Sequence, residues 1–413
     1  MRILIITQYF APEMGAAQAR LFELSTRLHN NGHRVEILTA MPNYPTGKVF
    51  DGYQGRWVMQ EEMSGLKVLR SWIYPSKSQK VIPRLLNYFS FVFSSLFVGC
   101  FHLKKQDVVL FESPPLFIVP VGILLGRLSR ARVIMNVSDI WPDIIVRMGY
   151  PISRMFLKLM IWLEEFGYKH ADVVALTNPE AAEQINQRFP EVKTTVISNG
   201  VDCDFFKPEL RNEYIRSSFG VEPDEFMVAY CGLHGMAQGL EVVIGAAKLL
   251  LSRKDIKFIM IGDGPTKDQL MEMAEKAQLN NLQFHDSKPK AEIPAILASS
   301  DISLVPLSTR LPGTMPSKFY EALASGAPVI TAKGCVAEGL VDKYKVGRNY
   351  EPLNAQEMVD AILDITKSRE HWNETRQLCI ELSKRFSRDF IAEQTESILQ
   401  ALTDGRELPR VSW

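Results

Sequence analysis

The sequence predicts an α/β protein of two doubly wound domains, each a parallel sheet with helices on its faces. Three observations predict it. The chain has 413 residues, more than one ordinary core fills. Its start runs from an apolar strand-length segment through a glycine-bearing loop and an amphipathic helix to a second apolar segment, all within about forty residues; such a β-loop-α-β unit requires a parallel sheet. The same alternation restarts after Asn199. The boundaries read from this are 1–200, 201–386 and a closing segment 387–413.

Each element follows from its pattern. Arg2–Thr7 is an apolar run of strand length, and Pro12–Ala17 is the loop after it. Gln18–His29 places Ala19, Leu21, Phe22, Leu24 and Leu28 at helical spacing, and Asn31-Gly32-His33 stops it. Val35–Thr39, Asp107–Glu112, Arg132–Val137 and Asp172–Leu176 read as further strands. In the second domain Phe226–Cys231, Lys257–Ile261, Ile302–Val305 and Pro328–Thr331 read as strands. Leu240–Leu251, Thr266–Ala277, Glu292–Ser299 and Ser317–Ser325 read as the helices between them. Ligands of such sheets bind beyond the carboxyl ends of the strands, which for two facing domains means the cleft between them.

Composition excludes several classes. Five scattered cysteines without a C-x-x-C argue against a zinc or disulfide framework and fit a reducing compartment. The apolar start is too short for a signal peptide, since Gln8 follows at once. The one D-x-D, Asp202-Cys203-Asp204, belongs to a turn, and no metal is expected. Phe10–Gly15 lacks G-x-G-x-x-G, which disfavours a dehydrogenase, and no other cofactor is indicated. Net charge is zero, with residues 1–200 at +6 and 201–413 at −6. Nucleic-acid binding is therefore not expected, while one half could face an anionic surface.

The segment Pro316–Ile330 carries the clearest chemistry. Pro316 or Ser317 starts a helix, and Gly326 and Pro328 end it. The free amides of its first turn form an anion site, to which Lys318 adds a full charge. Glu321 shares a face with Ser317 and Lys318. A diphosphate on the amides would bring its ribose one turn further on, opposite the Glu321 carboxylate. That is a site for a nucleotide sugar.

With the turns Asn199-Gly200-Val201-Asp202 and Gly262-Asp263-Gly264-Pro265, this segment resembles the bacterial family 4 retaining glycosyltransferases, across nearly the whole chain and in the family's order of motifs. The resemblance implies the GT-B fold, an acceptor-side first domain, a nucleotide-sugar-binding second domain, a last helix (Ser387–Leu402) crossing back to the first, and metal-independent transfer. It also implies that the Gly15 loop faces donor phosphate and acceptor, and that Ser287-Lys288-Pro289 lies near the base. Gly232, Gly235 and Gly239 stand where the family's glycine-rich loop meets the phosphates. The family's Arg and Lys there are Leu233 and Gln238 in this chain, which leaves Lys318 as the leading cation and Arg310 as the next. Only the second glutamate of the family's E-x7-E pair is present, as Glu321; Gly313 stands at the first, which points to a donor sugar lacking one polar contact, such as a deoxy sugar. Gly262, Asp263 and Gly264 can offer amides to uracil or phosphate, although Asp-Gly is equally an ordinary turn. Asp139, in Asn136–Asp143, could orient the acceptor hydroxyl or take its proton, or simply cap the following turn. The Ala-Gln-Gly-Leu and Pro-Ser-Lys segments resemble a surface-polysaccharide branch that includes L-fucosamine transferases.

Residues 63–106 contain no acid and seven Lys or Arg. Within them Leu85–Leu103 is uncharged and rich in phenylalanine. Length admits a membrane span, but the polar residues inside it and the parallel sheet around it argue against one. A helix lying in the interface fits best, with Lys77, Lys80, Arg84, Lys104 and Lys105 on an anionic surface and Phe89, Phe93 and Phe97 in the apolar boundary; a buried helix is the alternative. The function expected is transfer of a sugar, an N-acetylated or deoxy hexose, from a UDP-sugar to a membrane lipid-linked glycan in O-antigen, capsule or exopolysaccharide biosynthesis, on the inner face of the plasma membrane. The alternatives are a nucleotide-sugar epimerase on the same fold and a non-catalytic nucleotide-sugar-binding assembly protein.

Overall fold

The structure is a computed structural model that describes residues 1–78, 81–147 and 152–411, without the side chains of Val81, Ile144 and Ile145. The chain forms two compact units, one of Met1–Asn199 with the segment from Arg388 onward, the other of Gly200–Ser387.

The first unit holds eight strands: β1 (Arg2–Ile6), β2 (Arg34–Ala40), β3 (Val58–Met63), β4 (Leu66–Ser71), β5 (Val108–Ser113), β6 (Arg132–Val137), β7 (Val173–Leu176) and β8 (Thr194–Val196). Their order is β3-β4-β2-β1-β5-β6-β7-β8, parallel except for β3 against β4. Side chains alternate across each strand. Leu4 and Ile6 face a layer with the aromatic helix Val81–His102 and the helices Val119–Ser129 and Arg154–His170. Ile3 and Ile5 face the opposite layer, which contains the helices Ala16–Asn30 and Arg388–Asp404. That last helix is tied to Ala16–Asn30 by Arg27–Asp389 at 2.5 Å and Arg388–Glu23.

The second unit holds β9 (Phe226–Cys231), β10 (Ile256–Ile261), β11 (Leu282–His285), β12 (Ile302–Val305), β13 (Val329–Ala332) and β14 (Gly347–Tyr350), in the order β11-β10-β9-β12-β13-β14, all parallel. Strand order reverses between β1 and β5 and between β9 and β12. Those gaps are where open α/β sheets take ligands.

The hairpin β3–β4 was not expected. Glu61 and Glu62 break the apolar pattern of this edge strand, but Ser64 (φ 50°) and Gly65 (φ 79°) form the two-residue left-handed turn that hairpins use. The hairpin also divides the basic stretch. Arg70 is fully buried and binds Glu61 at 2.5 Å and the Ala40 carbonyl at 3.1 Å, so its charge faces no surface.

The aromatic helix is two-faced rather than wholly interfacial or wholly buried. Tyr88, Phe91, Ser94, Ser95 and Val98 pack inward. Ile82, Leu86, Phe89, Phe93, Phe97 and Phe101 line the outer face at helical spacing, with Phe93 71% and Phe101 72% exposed. Its length and hydropathy would admit a membrane span, yet its inner face belongs to the unit's core. Arg84, Lys77, Lys104 and Lys105 are exposed; Lys80 lies outside the described residues.

Candidate functional site

In the second unit, the loops after β9 and β10 are joined through their backbones. Gly232 N donates to the Ile261 carbonyl at 2.9 Å, and His234 N to the Asp263 carbonyl at 2.9 Å. Gly232, Gly262 and Gly264 have φ of 151°, 146° and 152°, which L side chains rarely adopt. A Cβ at Gly262 would strike the Gly232 carbonyl, and one at Gly264 the His234 carbonyl. These two glycines serve loop-to-loop contact. At Gly232 the space a Cβ would take is filled by the Lys318 side chain, with Nζ 2.7 Å from that point.

Lys318 stands on the helix Ser317–Ala324, whose N-cap is Pro316 and which no side chain caps. Its ammonium lies 5.5 Å from the Tyr230 ring centroid, and the Tyr230 hydroxyl donates to the Leu233 carbonyl at 2.6 Å. One buried ring thus carries the cation and fixes the loop beside it. Burial lowers the Lys318 pKa, while the nearby Glu321 carboxylate raises it. The Cys231 thiol is pushed up to about 12, by burial first and then by Glu321. Gly326, at φ 69°, follows the helix in the left-handed conformation.

The positions where the family carries cations are not basic here. Leu233 is 57% exposed, and Gln238 turns its Oε1 back toward Gly235 without a hydrogen-bond partner. Met236 between them is 82% exposed. Arg310 does not fill the gap, because Glu351 binds it with both oxygens at 2.6 and 2.7 Å. Gly313 has φ 76°, a conformation that would strain a glutamate there. Asp263 is exposed and accepts from Gly264 N at 2.8 Å. Ser287, Lys288 and Pro289 are exposed. Asp202 accepts from Asp204 N and Phe205 N, an ordinary turn. Sequence reasoning missed His234, fully buried with neither ring nitrogen hydrogen-bonded. Burial lowers its pKa, followed by the charge of Lys267.

In the first unit, Asp139 follows β6 and is half-buried. Burial raises its pKa, Glu112 adds to that, and Arg20 opposes it. It caps no turn among the described residues. Glu112, buried at the end of β5, accepts from Arg20, from Ser138 Oγ and from Asn136 Nδ2 at 2.6 Å. Arg20 also reaches Asn199 Oδ1 at 2.6 Å. This network was missed, though a carboxylate ending an otherwise apolar strand was its signal. Glu13, also buried and missed, accepts from Asn43 N, Tyr44 N and Phe10 N at 2.7, 2.8 and 3.2 Å. Gly15 has an extended φ of 170°, so it is not required for a turn; the Gln18 carboxamide occupies the space beside it.

Comparison with known proteins agrees with this architecture. Residues 15–200 match the family model described as "Glycosyl transferase 4-like domain", and residues 212–385 match "Glycosyl transferases group 1". The chain is 28% identical over 342 residues to WcaI of Escherichia coli (strain K12), described as a colanic acid biosynthesis glycosyl transferase; the match covers 81% of this chain and 84% of WcaI. Among solved structures, sucrose-phosphate synthase from Thermosynechococcus elongatus superposes with a TM-score of 0.76 at 16% identity, covering 98% of this chain and 99% of that one. Anabaena HepE, solved in complex with UDP, superposes at 0.72 and 18% identity, covering 97% and 100%. The fold is GT-B.

Proposed function

The chain is a glycosyltransferase of the group 1 type, and from that premise we propose that it moves a sugar from a UDP-sugar to a lipid-linked glycan in surface-polysaccharide assembly, with retention of anomeric configuration and with Lys318 rather than a metal ion on the departing phosphate. The observation that carries this reading is Lys318, seated on the Tyr230 ring at an uncapped helix start and against Gly232. Amides and ammonium there offer fixed positive charge where negative charge grows as the sugar leaves. Glu321, one turn on, is the acceptor for the ribose hydroxyls. Asp139 orients the acceptor hydroxyl, and its raised pKa suits a group that takes up a proton. HepE, whose structure contains UDP, and WcaI support the donor class and the pathway class. Exposed Leu233 and Met236 suit a donor sugar with an apolar substituent, such as a deoxy or N-acetylated hexose.

The outer stripe of the aromatic helix, with exposed lysines at its ends, suits a protein lying on the inner face of the plasma membrane. A thermal-shift screen against nucleotide sugars, followed by NMR of the product's anomeric proton, tests the reading. Stabilisation by one UDP-sugar and a product of unchanged anomeric configuration are expected. Inversion, or a donor with another base, contradicts it.

A further inference from the structure

At the carboxyl end of the first unit's sheet, the loop after β1 passes beside the aromatic helix. Tyr9 in that loop packs edge-on against Tyr44 at 5.7 Å. Arg84, at the end of the helix's first turn, donates Nε to the Tyr88 hydroxyl at 3.0 Å, and its charge works against the burial that raises the Tyr9 pKa. The backbone of Lys77 packs against Gly47, three residues beyond Tyr44. Gln8 Nε2 donates to Asn87 Oδ1 at 2.8 Å, and Asn87 Nδ2 to the Tyr74 carbonyl at 2.7 Å, so loop, helix and the segment after β4 are fixed to one another. Glu13, in the loop, is buried and spends both oxygens on backbone amides. Arg84 and Lys77 are exposed. Both carry positive charge outward.

Arg84 stands on a border. Ile82 and Leu86 beside it begin the apolar stripe, and the β1 loop beyond it leads to Glu13 and Gly15. A lipid-linked glycan has three parts in the same order: hydrocarbon, diphosphate, sugar. We propose that Arg84, with Lys77 and the hydroxyls of Tyr9 and Tyr44, binds the diphosphate that joins lipid to glycan in the acceptor. This rests on the lipid-linked acceptor proposed above. The guanidinium fork suits phosphate oxygens bidentately, and the Tyr88 hydroxyl pre-orients it.

Vesicle sedimentation tests this. One set of phosphatidylcholine vesicles carries a polyprenyl diphosphate; a second carries phosphatidylglycerol to the same surface charge. The wild type should bind the diphosphate set about tenfold or more tightly than the other, the range of a charge-assisted hydrogen bond. Arg84→Gln should abolish that preference while still binding phosphatidylglycerol. Arg84→Lys, which keeps the charge and guards against misfolding of the first variant, should lose most of the preference. Lys104→Gln with Lys105→Gln should weaken both sets alike. Equal binding of the two sets by the wild type, or a preference that survives Arg84→Gln and Lys77→Gln, overturns the assignment. UDP affinity of the same variants, measured by calorimetry, should not change. Loss of transfer from every donor with the preference intact would count against the donor reading and leave this site standing.

Discussion

At the carboxyl end of the first unit's sheet, the buried charges of Arg20 and Glu112 pair with each other; at the same end of the second unit's sheet, the cation rests on an aromatic ring. Arg20 and Glu112 satisfy each other and recruit Asn136, Ser138 and Asn199, while Glu13 takes three amides. Around β9 and β12 the polar groups stay open. Lys318 lies on Tyr230, and His234 and Gln238 keep buried atoms without partners. A buried unpaired polar group costs about 1–3 kcal/mol, and the first end holds such atoms too, in Gln8 Oε1, Arg20 Nε and Asn136 Oδ1. The difference lies in what faces the charge: a carboxylate at Arg20, an aromatic ring at Lys318.

Breaking the paired end should produce the largest effect, on stability and not on donor affinity. Glu112→Ala strands the buried Arg20 charge and should cost about 3–5 kcal/mol in urea unfolding, with UDP affinity of the folded fraction unchanged. An unaltered unfolding midpoint would show that the network does not support the unit. Breaking the open end should do the reverse. Glu321→Ala should leave stability near that of the wild type and lose about 2–4 kcal/mol of donor affinity by calorimetry; undiminished affinity removes Glu321 from the ribose.

The outer face gives a smaller effect. Lys104→Gln with Lys105→Gln should weaken binding to phosphatidylglycerol vesicles by about 1 kcal/mol per charge, a loss that fades in high salt. Residual binding in high salt is expected from the exposed phenylalanines, and full release would deny them that role.

The smallest effect is a pH slope. His234 has a lowered pKa in the folded chain, so between that value and the ordinary one of about 6.5 the unfolded chain holds more protons. Stability should therefore fall as pH drops through that window. His234→Phe should flatten the slope, and a slope that persists assigns it to other groups.

Much of the fold was legible because its strands are apolar runs and its helices keep one period. The hairpin escaped because Glu61 and Glu62 interrupt an edge strand that packs only one side, and β8, β11 and β14 because their short runs (Thr-Thr-Val, Leu-Gln-Phe-His, Gly-Arg-Asn-Tyr) lack the apolar pattern that marks β12 and β13. Lys318 and Glu321 stood out because helix start, charge and turn lie within a few residues. Glu112 and Arg20 did not, because their meaning comes from a contact between residues 92 positions apart. The glycines of the second unit were legible as loops but not in purpose: Gly262 and Gly264 let one loop touch another, and Gly232 makes room for a lysine.

Whether Lys318 stabilises the departing diphosphate is decided by single-turnover transfer at saturating donor. Charge on the leaving phosphate grows in the transition state, so the partner of that charge matters more there than in the bound donor. Lys318→Ala should lower the rate of the chemical step by about two orders of magnitude or more. A rate equal to that of the wild type, with only the Michaelis constant for the donor raised, would contradict the account.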